Sequence, residues 1–368
     1  MGQIFKIDKS TRDDELGLIK KQITCDSNSF CFDSPIVTKR ANRIDSRIDP
    51  EIKVQEIIRH IDEKVVNSLD SRYIKTYTDS VKTEWVSDRL NLTLFDFKYK
   101  DFPSDESLKT IAHALHGASD KVILLPTVRK KLLMEVKPNH KTESLSLDRI
   151  ESYKRMMKVI INETTKPQNG KQIVGMIPFI PWKFAKPIVD FYCSEGIRAF
   201  AIDCGFRDVM EYRDDFARVL TRVKETISLD KTVIFAFNAG IPSSFEATEV
   251  VSDDFLGVFA YVDILGSTFK IRGGASGEEG EKQIPKAKVF SRDKYAYDIS
   301  TYPNLQPTFG SHVNFYTIRN YNRSEQLRET AKIRDLVGVE KMKKYLSTKR
   351  AVNQESVNRL ESIAQKVG

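Results

Sequence analysis

The side chains most able to do chemistry in this sequence are acids and amides at the ends of apolar runs. Asp203 closes the run RAFAI (198–202), Asn238 follows TVIFAF (232–237), Asp263 stands inside AYVDIL (260–265), and Asp96 lies in LNLTLFDF (90–97). A carboxylate left unpaired at the end of a buried run is costly. It is therefore held by backbone N–H groups, a cation or a ligand. Paired carboxylates without histidine suit glycosidic-bond chemistry, in which one acid attacks or stabilises the anomeric carbon and another handles the proton. Each position also has a plainer reading. Asp203 could cap the following helix, Asp263 could pair structurally, and Asn238 with Gly240 after it could form a turn. Asp33 and Asp96 have ordinary partners nearby in Ser34 and Lys98.

Other chemistries leave no mark. The five histidines (His60, His113, His116, His140 and His312) are expected on helices, loops or the C-terminal extension. There is no HExxH, no G-x-S-x-G elbow, no Walker pattern and no G-x-G-x-x-G after a strand. Cys25, Cys31, Cys193 and Cys204 form no CxxC, so buried thiols are expected rather than a zinc site. Cys204 adjoins Asp203, but with no histidine base in a motif it reads as a small core residue. No metal and no cofactor is expected.

These residues need a frame to position them. Short, nearly continuous apolar runs recur at 29–37, 90–99, 121–128, 172–180, 198–205, 231–240 and 259–268, and amphipathic stretches separate them, at 51–69, 106–117, 147–163, 184–196, 211–227 and 244–256. Continuous apolar strands are those of a parallel sheet buried on both faces. Seven such units favour an α/β fold of the eight-stranded (β/α)8 barrel type over an open doubly wound sheet. The eighth strand is expected from FKI (5–7) or HVNFYTI (312–318). In a barrel the site lies at the C-terminal ends of the strands. This gathers Asp33, Asp96, Thr127, Pro178, Asp203, Asn238 and Asp263. The glycine-rich stretch 271–288 follows strand seven and reads as a long loop. Loops there often bind phosphate.

The 368 residues suit a barrel, taken as 1–318, plus a helical basic extension, 319–368, packed on it. No run approaches the roughly 18 apolar residues of a membrane span, and the start MGQIFKIDKS lacks a signal-peptide core. A cytoplasmic protein is expected. The net charge is +8, and residues 319–368 hold twelve Lys/Arg against six Asp/Glu, or +6 of it. A basic appendage on a near-neutral body suggests a polyanionic partner, nucleic acid first. Its phosphate contacts are expected from Arg323, Arg328, Lys332, Arg334, Lys341, Lys343 and Lys344.

From Ile173 to Arg272 the chain resembles the second half of the tRNA-guanine transglycosylase barrel, the queuine and archaeosine tRNA-ribosyltransferase superfamily. Family strands like GIVQGG and GYAIGGL correspond to IVGMIPFI and RAFAIDCG here. A strand ending like MGVG and the motif VDMFDC correspond to TVIFAFNAG and VDILGS. The I-R pair of a basic helix corresponds to Ile333–Arg334. The resemblance implies a barrel that handles a purine or 7-deazapurine base in tRNA or DNA, by base exchange at a glycosidic bond. Aligned on Val262 and Asp263, the family's nucleophilic Asp falls on Gly266, and its CxCxxC zinc ligands are missing. A divergent member would use Asp203 or Asp263 as nucleophile and Asp96 for the proton, with Asn238, Gly240, Pro178 and Gly266 around the base. Two alternatives stand beside it. One is a non-catalytic binding subunit, alone, as a homodimer or with an active homologue. The other is an unrelated barrel lyase or aldolase for a small phosphorylated substrate, whose Schiff-base lysine would be Lys98 or Lys270.

Overall fold

The computed structural model describes residues 5–25, 30–41, 52–68, 70–99, 101–136, 143–167, 171–241, 245–267 and 285–368. It is a mixed α/β fold with two parallel sheets. One runs in the order Ile36–Val37, Ile264–Leu265, Val233–Phe237, Ala199–Asp203, Gln172–Ile177, Val122–Leu124. The other runs Lys39–Arg40, Val54–Ile61, Leu90–Phe97, Thr127–Val128. The sheets share both borders. Ile36 and Val37 pair with Ile264 and Leu265, and just beyond them Lys39 and Arg40 pair with Gln55 and Glu56. Val122–Leu124 pairs with Gln172–Val174, and further along Thr127 and Val128 pair with Asp96 and Phe97.

The runs LNLTLFDF, AFAID and VIFAF are buried at every residue, as strands covered on both faces must be. Helices Ser71–Lys82, Asp105–Gly117, Leu147–Thr165, Trp182–Ser194 and Arg213–Thr226 separate successive strands. Their apolar sides join one continuous core.

Several expectations are corrected. Residues 54–61 form a strand, not a helix, and neither 5–7 nor 312–318 supplies a further parallel strand. Ile52, Val54, Ile57, Ile58 and Ile61 have helical spacing. Yet this stretch is a strand paired on each side, with Val54–Ile57 buried throughout. Phe5–Arg12 belongs to an antiparallel sheet with Ile19–Cys25 and Phe30–Ser34. Residues 315–318 begin a long helix. The stretch 244–256, expected to be helical, holds the short strand Glu249–Val251 and only a four-residue helix, Asp253–Leu256. That strand pairs with a hairpin, Lys286–Ser291 and Ala296–Thr301, which the sequence pattern did not announce.

The long helix Phe315–Leu336 runs unbroken through residue 319. It opens on a reciprocal capping box between Asn314 and Thr317. It lies against the shared border of the sheets: Lys39 donates to Ser324 Oγ (3.0 Å), and Arg334 donates to the Pro35 carbonyl (2.9 Å). The last helix, Gln354–Val367, packs on Arg213–Thr226, where Lys224 donates to the Val367 carbonyl (2.7 Å). Among the described residues no helix is long and apolar enough to cross a membrane.

Candidate functional site

Strand ends bring Asp203, Asn238, Thr127 and Asp96 together. Ala199–Asp203 and Val233–Phe237 are adjacent parallel strands in register, so Asn238 follows the residue paired with Asp203. The Asn238 amide donates to Asp203 Oδ1 (3.0 Å), as does the Gly205 backbone N–H (2.8 Å). The Thr127 hydroxyl donates to Asp203 Oδ2 (3.3 Å). Asn238 has φ +58, a left-handed conformation that Asn tolerates better than most residues. Its carbonyl accepts from the Phe206 N–H (3.0 Å), and a side chain at Gly240 would strike the Phe206 carbonyl oxygen at 1.8 Å. Gly240 is thus required by a close backbone approach that fixes the Asn238 turn.

On the other side, Asp96 pairs in register with Thr127 and with His60. His60 Nδ1 lies 3.2 Å from Asp96 Oδ2. Partial burial and then the Lys98 charge pull the His60 pKa down, against the pull of Asp96 upward. The balance favours the neutral ring. The expectation of a site without histidine is corrected: His60 lies on a strand beside an acid. Asp96 Oδ1 and Asn238 Oδ1 are buried acceptors with no hydrogen-bond partner. Such atoms cost free energy unless a ligand or water pairs with them.

Glu56 was also missed. Residues two apart on a strand share a face, so Glu56 and His60 face the same side. The Glu56 carboxylate is buried and accepts from the backbone N–H of Ser267 (3.1 Å) and its hydroxyl (2.5 Å). A β-carbon on Gly266 would sit 2.5 Å from Glu56 Oε1 and 2.8 Å from the Phe235 ring. The helical spacing of 51–69 concealed both His60 and Glu56; one acid and one histidine four residues apart in the same run were the available signal.

Asp263 does not join this group. It lies at the opposite end of its strand, where its N–H donates to the Ile234 carbonyl (2.9 Å). Its carboxylate accepts from Lys21 Nζ (2.7 Å), Ser34 Oγ (2.8 Å) and the Ile234 N–H (2.8 Å), all buried. It is a structural ion pair that joins the antiparallel sheet to the parallel one. Asp33 is also displaced, into that antiparallel sheet. Pro178 follows Gln172–Ile177 and is buried. Cys204 is buried, and burial pushes its thiol pKa well up, which suits a core residue and not a nucleophile. Lys98 is exposed just past its strand, and Lys270 and most of 271–288 lie outside the described residues. Among the described residues no cluster of three His, Cys, Asp or Glu could hold a metal.

Beside strands Val233–Phe237 and Ile264–Leu265, against the long helix, is a small cavity of about 30 Å³, partly open to solvent. Gly266, Ser267, Asp254, Tyr297, Arg323 and Gln326 line it. Tyr297 donates to Asp254 Oδ2 (2.7 Å) and accepts from Gln326 Nε2 (3.1 Å). Burial pushes the Asp254 pKa up to about 7, although the Tyr297 hydrogen bond and the Arg323 charge pull against it.

The residues expected to meet phosphates divide. Arg323 turns inward and donates to the Leu265 carbonyl (3.0 Å) and to Gln326 (2.8 Å), and Arg334 is spent on Pro35. These two are thus engaged in internal hydrogen bonds. Arg328 pairs with Glu325 and Lys343 with Glu361. Lys332 lies over the Tyr345 ring with its charge near the surface, and Lys341 and Lys344 are largely exposed.

No known family matches the sequence, and no curated protein does. Several solved structures resemble the chain weakly, two of them as follows. The CutC protein of Streptococcus agalactiae is 12% identical, with a TM-score of 0.34, over 64% of this chain and 99% of that one. A glucosidase from Croceicoccus marinus is 10% identical, with a TM-score of 0.37, over 71% of this chain and 60% of that one. At those values neither bears on what this chain does.

Proposed function

We propose that the chain is a closed (β/α)8 barrel of the tRNA-guanine transglycosylase type, acting in the cytoplasm on a purine or 7-deazapurine base of tRNA or DNA. Barrel closure is supported by the two shared sheet borders, which give eight strands in chain order, each with two neighbours. The observation that carries the function is a pair of strand-end acids on either side of Thr127, which donates to Asp203 and pairs in register with Asp96. Asp203 is fixed by Thr127, Gly205 and Asn238, while Asp96 is paired with His60 and keeps a buried, unpartnered oxygen. In base exchange Asp203 serves the anomeric carbon, and Asp96 with His60 handles the proton on the departing base. Lys332, Lys341 and Lys344 supply the phosphate contacts.

The test is incorporation of labelled guanine into tRNA or DNA. We expect incorporation by the wild type and a fall of roughly 100-fold or more in rate for Asp203→Asn and for Asp96→Asn. Wild-type protein that neither exchanges base nor binds nucleic acid at low salt would overturn the reading. One observation favours a second reading, a non-catalytic binding subunit. Asp263 is locked in an ion pair away from the other acids, and Gly266 offers no side chain. That reading expects salt-dependent binding of nucleic acid with no exchange by the isolated chain.

A further inference from the structure

Lys98, Arg129 and His60 meet at neighbouring strand ends beside Asp96, and the two cations are left without a counter-charge. Phe97 and Val128 are paired in register, so the residues that follow them, Lys98 and Arg129, stand side by side. The Lys98 N–H extends the ladder on its other side by donating to the Ile61 carbonyl (3.0 Å), and Arg129 keeps an extended backbone. Side chains two apart on an extended chain share a face, so Lys98 follows Asp96 and Arg129 follows Thr127 toward the rim. His60, paired in register with Asp96, completes the group. Partial burial and then the charges of Lys98 and Arg129 pull the His60 pKa down, so both cations lie close enough to act on the ring.

Like charges on adjoining strands repel. The acids at hand do not offset them. Asp96 Oδ2 lies against His60 Nδ1 (3.2 Å), and its Oδ1 is enclosed. Asp62, two residues past His60, caps the helix Glu63–Asn67 by accepting from the N–H groups of Lys64 and Val65 (3.1 Å each). Lys98 and Arg129 form no ion pair among the described residues, and both are exposed. The His60 side chain is 48% exposed, with Asp96 at its Nδ1 and Nε2 left open. These are the C-terminal ends of parallel strands, where α/β folds take their ligands. An added cation would be repelled, and a neutral ligand would leave both charges uncompensated. An oxyanion answers all three groups: Arg offers a fork of N–H donors, Lys a mobile ammonium, and His60 Nε2 a further hydrogen bond. We propose that Lys98, Arg129 and His60 form a binding site for a phosphate group, carried by a small ester or by a nucleic-acid strand. The site adjoins the acids of the proposed base exchange but does not rest on that reaction.

The test is calorimetric titration of the full chain with inorganic phosphate, with ribose 5-phosphate and with a short single-stranded oligonucleotide. We expect inorganic phosphate to bind in the millimolar range or tighter. It should also shift the His60 ring resonance in NMR, which His60→Gln identifies by its loss. Lys98→Ala and Arg129→Ala, both at exposed positions, should each weaken binding roughly tenfold, and Lys98→Arg should keep most of it. Lys158→Ala, on the outer helix Leu147–Thr165, should change nothing. If ribose 5-phosphate binds more tightly than inorganic phosphate and is lost in the same two variants, the phosphate belongs to a small ester. If the oligonucleotide behaves so, it belongs to a strand. No binding of inorganic phosphate at millimolar concentration, no shift at His60, or an equal loss in Lys158→Ala would each overturn the site. Base exchange with phosphate affinity unchanged in Lys98→Ala and Arg129→Ala would sink the site and leave the proposed function standing. Phosphate binding lost in those variants, in a protein that exchanges no base, would do the reverse.

Discussion

The Glu56 carboxylate stands where a side chain on Gly266 would have to be. The position for a β-carbon on residue 266 is 2.5 Å from Glu56 Oε1, and the Phe235 ring closes the other side at 2.8 Å. Glu56 in turn is anchored by the backbone and hydroxyl of the very next residue, Ser267. Gly266→Ala is therefore expected to destabilise the protein by about 1–3 kcal/mol through overpacking. In a Glu56→Ala background the cost should shrink, since only the ring still obstructs. Urea unfolding of the four proteins of this cycle measures the coupling. An alanine at 266 that costs the same in both backgrounds would show that the two residues do not compete for this space.

The ion pair between Lys21 and Asp263 gives a second expectation. Both side chains are almost wholly buried, at 1% and 2% exposure. Removing one partner strands a buried charge, so Lys21→Met should cost roughly 3–5 kcal/mol in urea unfolding. Because Asp263 lies at the far end of its strand from Gly266, any base exchange by the folded fraction should keep its rate. A large loss of rate per folded molecule would return Asp263 to the site.

Asp254 sets a pH dependence whose sign can be worked out. Burial raises its pKa in the folded protein to about 7, with Asp208 and Asp253 adding to the rise and Tyr297 and Arg323 opposing it. Unfolded, an aspartate titrates near about 3.9. Between these values the folded state binds more protons than the unfolded one, so stability falls as pH rises from about 4 to about 7. The loss is on the order of a few kcal/mol. Asp254→Asn should remove this slope, and thermal denaturation at pH 5 and pH 8 measures it. A slope left intact by the substitution would mean that Asp254 is not the titrating group.

The basic extension predicts a salt dependence. Among the seven cations expected to hold phosphates, Lys332, Lys341 and Lys344 keep the most exposed charge. Each phosphate neutralised adds about 0.9 to the slope of log K against log salt on duplex DNA. Replacing all three by Glu should lower that slope by roughly 2–3. Arg323 and Arg334, bonded to Leu265 and Pro35, should affect folding before binding. A slope unchanged by the triple substitution would place the nucleic-acid surface elsewhere.

Much of this arrangement was legible in the sequence, and the gaps have physical causes. Asp203, Asn238 and Asp96 could be found because apolar runs buried on both faces end abruptly at polar residues. The strand Val54–Ile61 was hidden because its isoleucines also fit a helical stripe, and a short buried run cannot be told from a helix by period alone. His60 and Glu56 went with it. Asp263 was misplaced for a related reason. It stands before Ile264–Leu265, a strand only two residues long, so its run of neighbours does not reveal which end of the strand it occupies. Lys21, its partner, lies 242 residues away, and no local pattern announces such a pair. Charge counting identified the basic extension, but it could not show that Arg323 and Arg334 turn inward.

The extension is itself fastened by a buried cluster, which yields a final prediction. Glu329 accepts from Tyr295 (2.7 Å), Lys349 (2.9 Å) and Tyr345, and both Lys349 and Glu329 are nearly sealed from solvent. Burial pushes the Glu329 pKa up, but the three hydrogen bonds and the Lys349 charge outweigh it and hold the pKa below the usual value. This contribution to stability is complete above about pH 4.3, the ordinary glutamate value, and is lost as pH falls through the lower folded value. It runs opposite to the Asp254 term. The protein should therefore be most stable in mildly acid solution and lose stability on both sides. Glu329→Gln leaves the buried Lys349 ammonium without its counter-charge and should cost roughly 3–5 kcal/mol. Glu329→Gln with Lys349→Met should cost less than the sum of the single changes, because no buried charge is then left alone. Additive single and double changes in urea unfolding would show that the ion pair does not hold the extension in place.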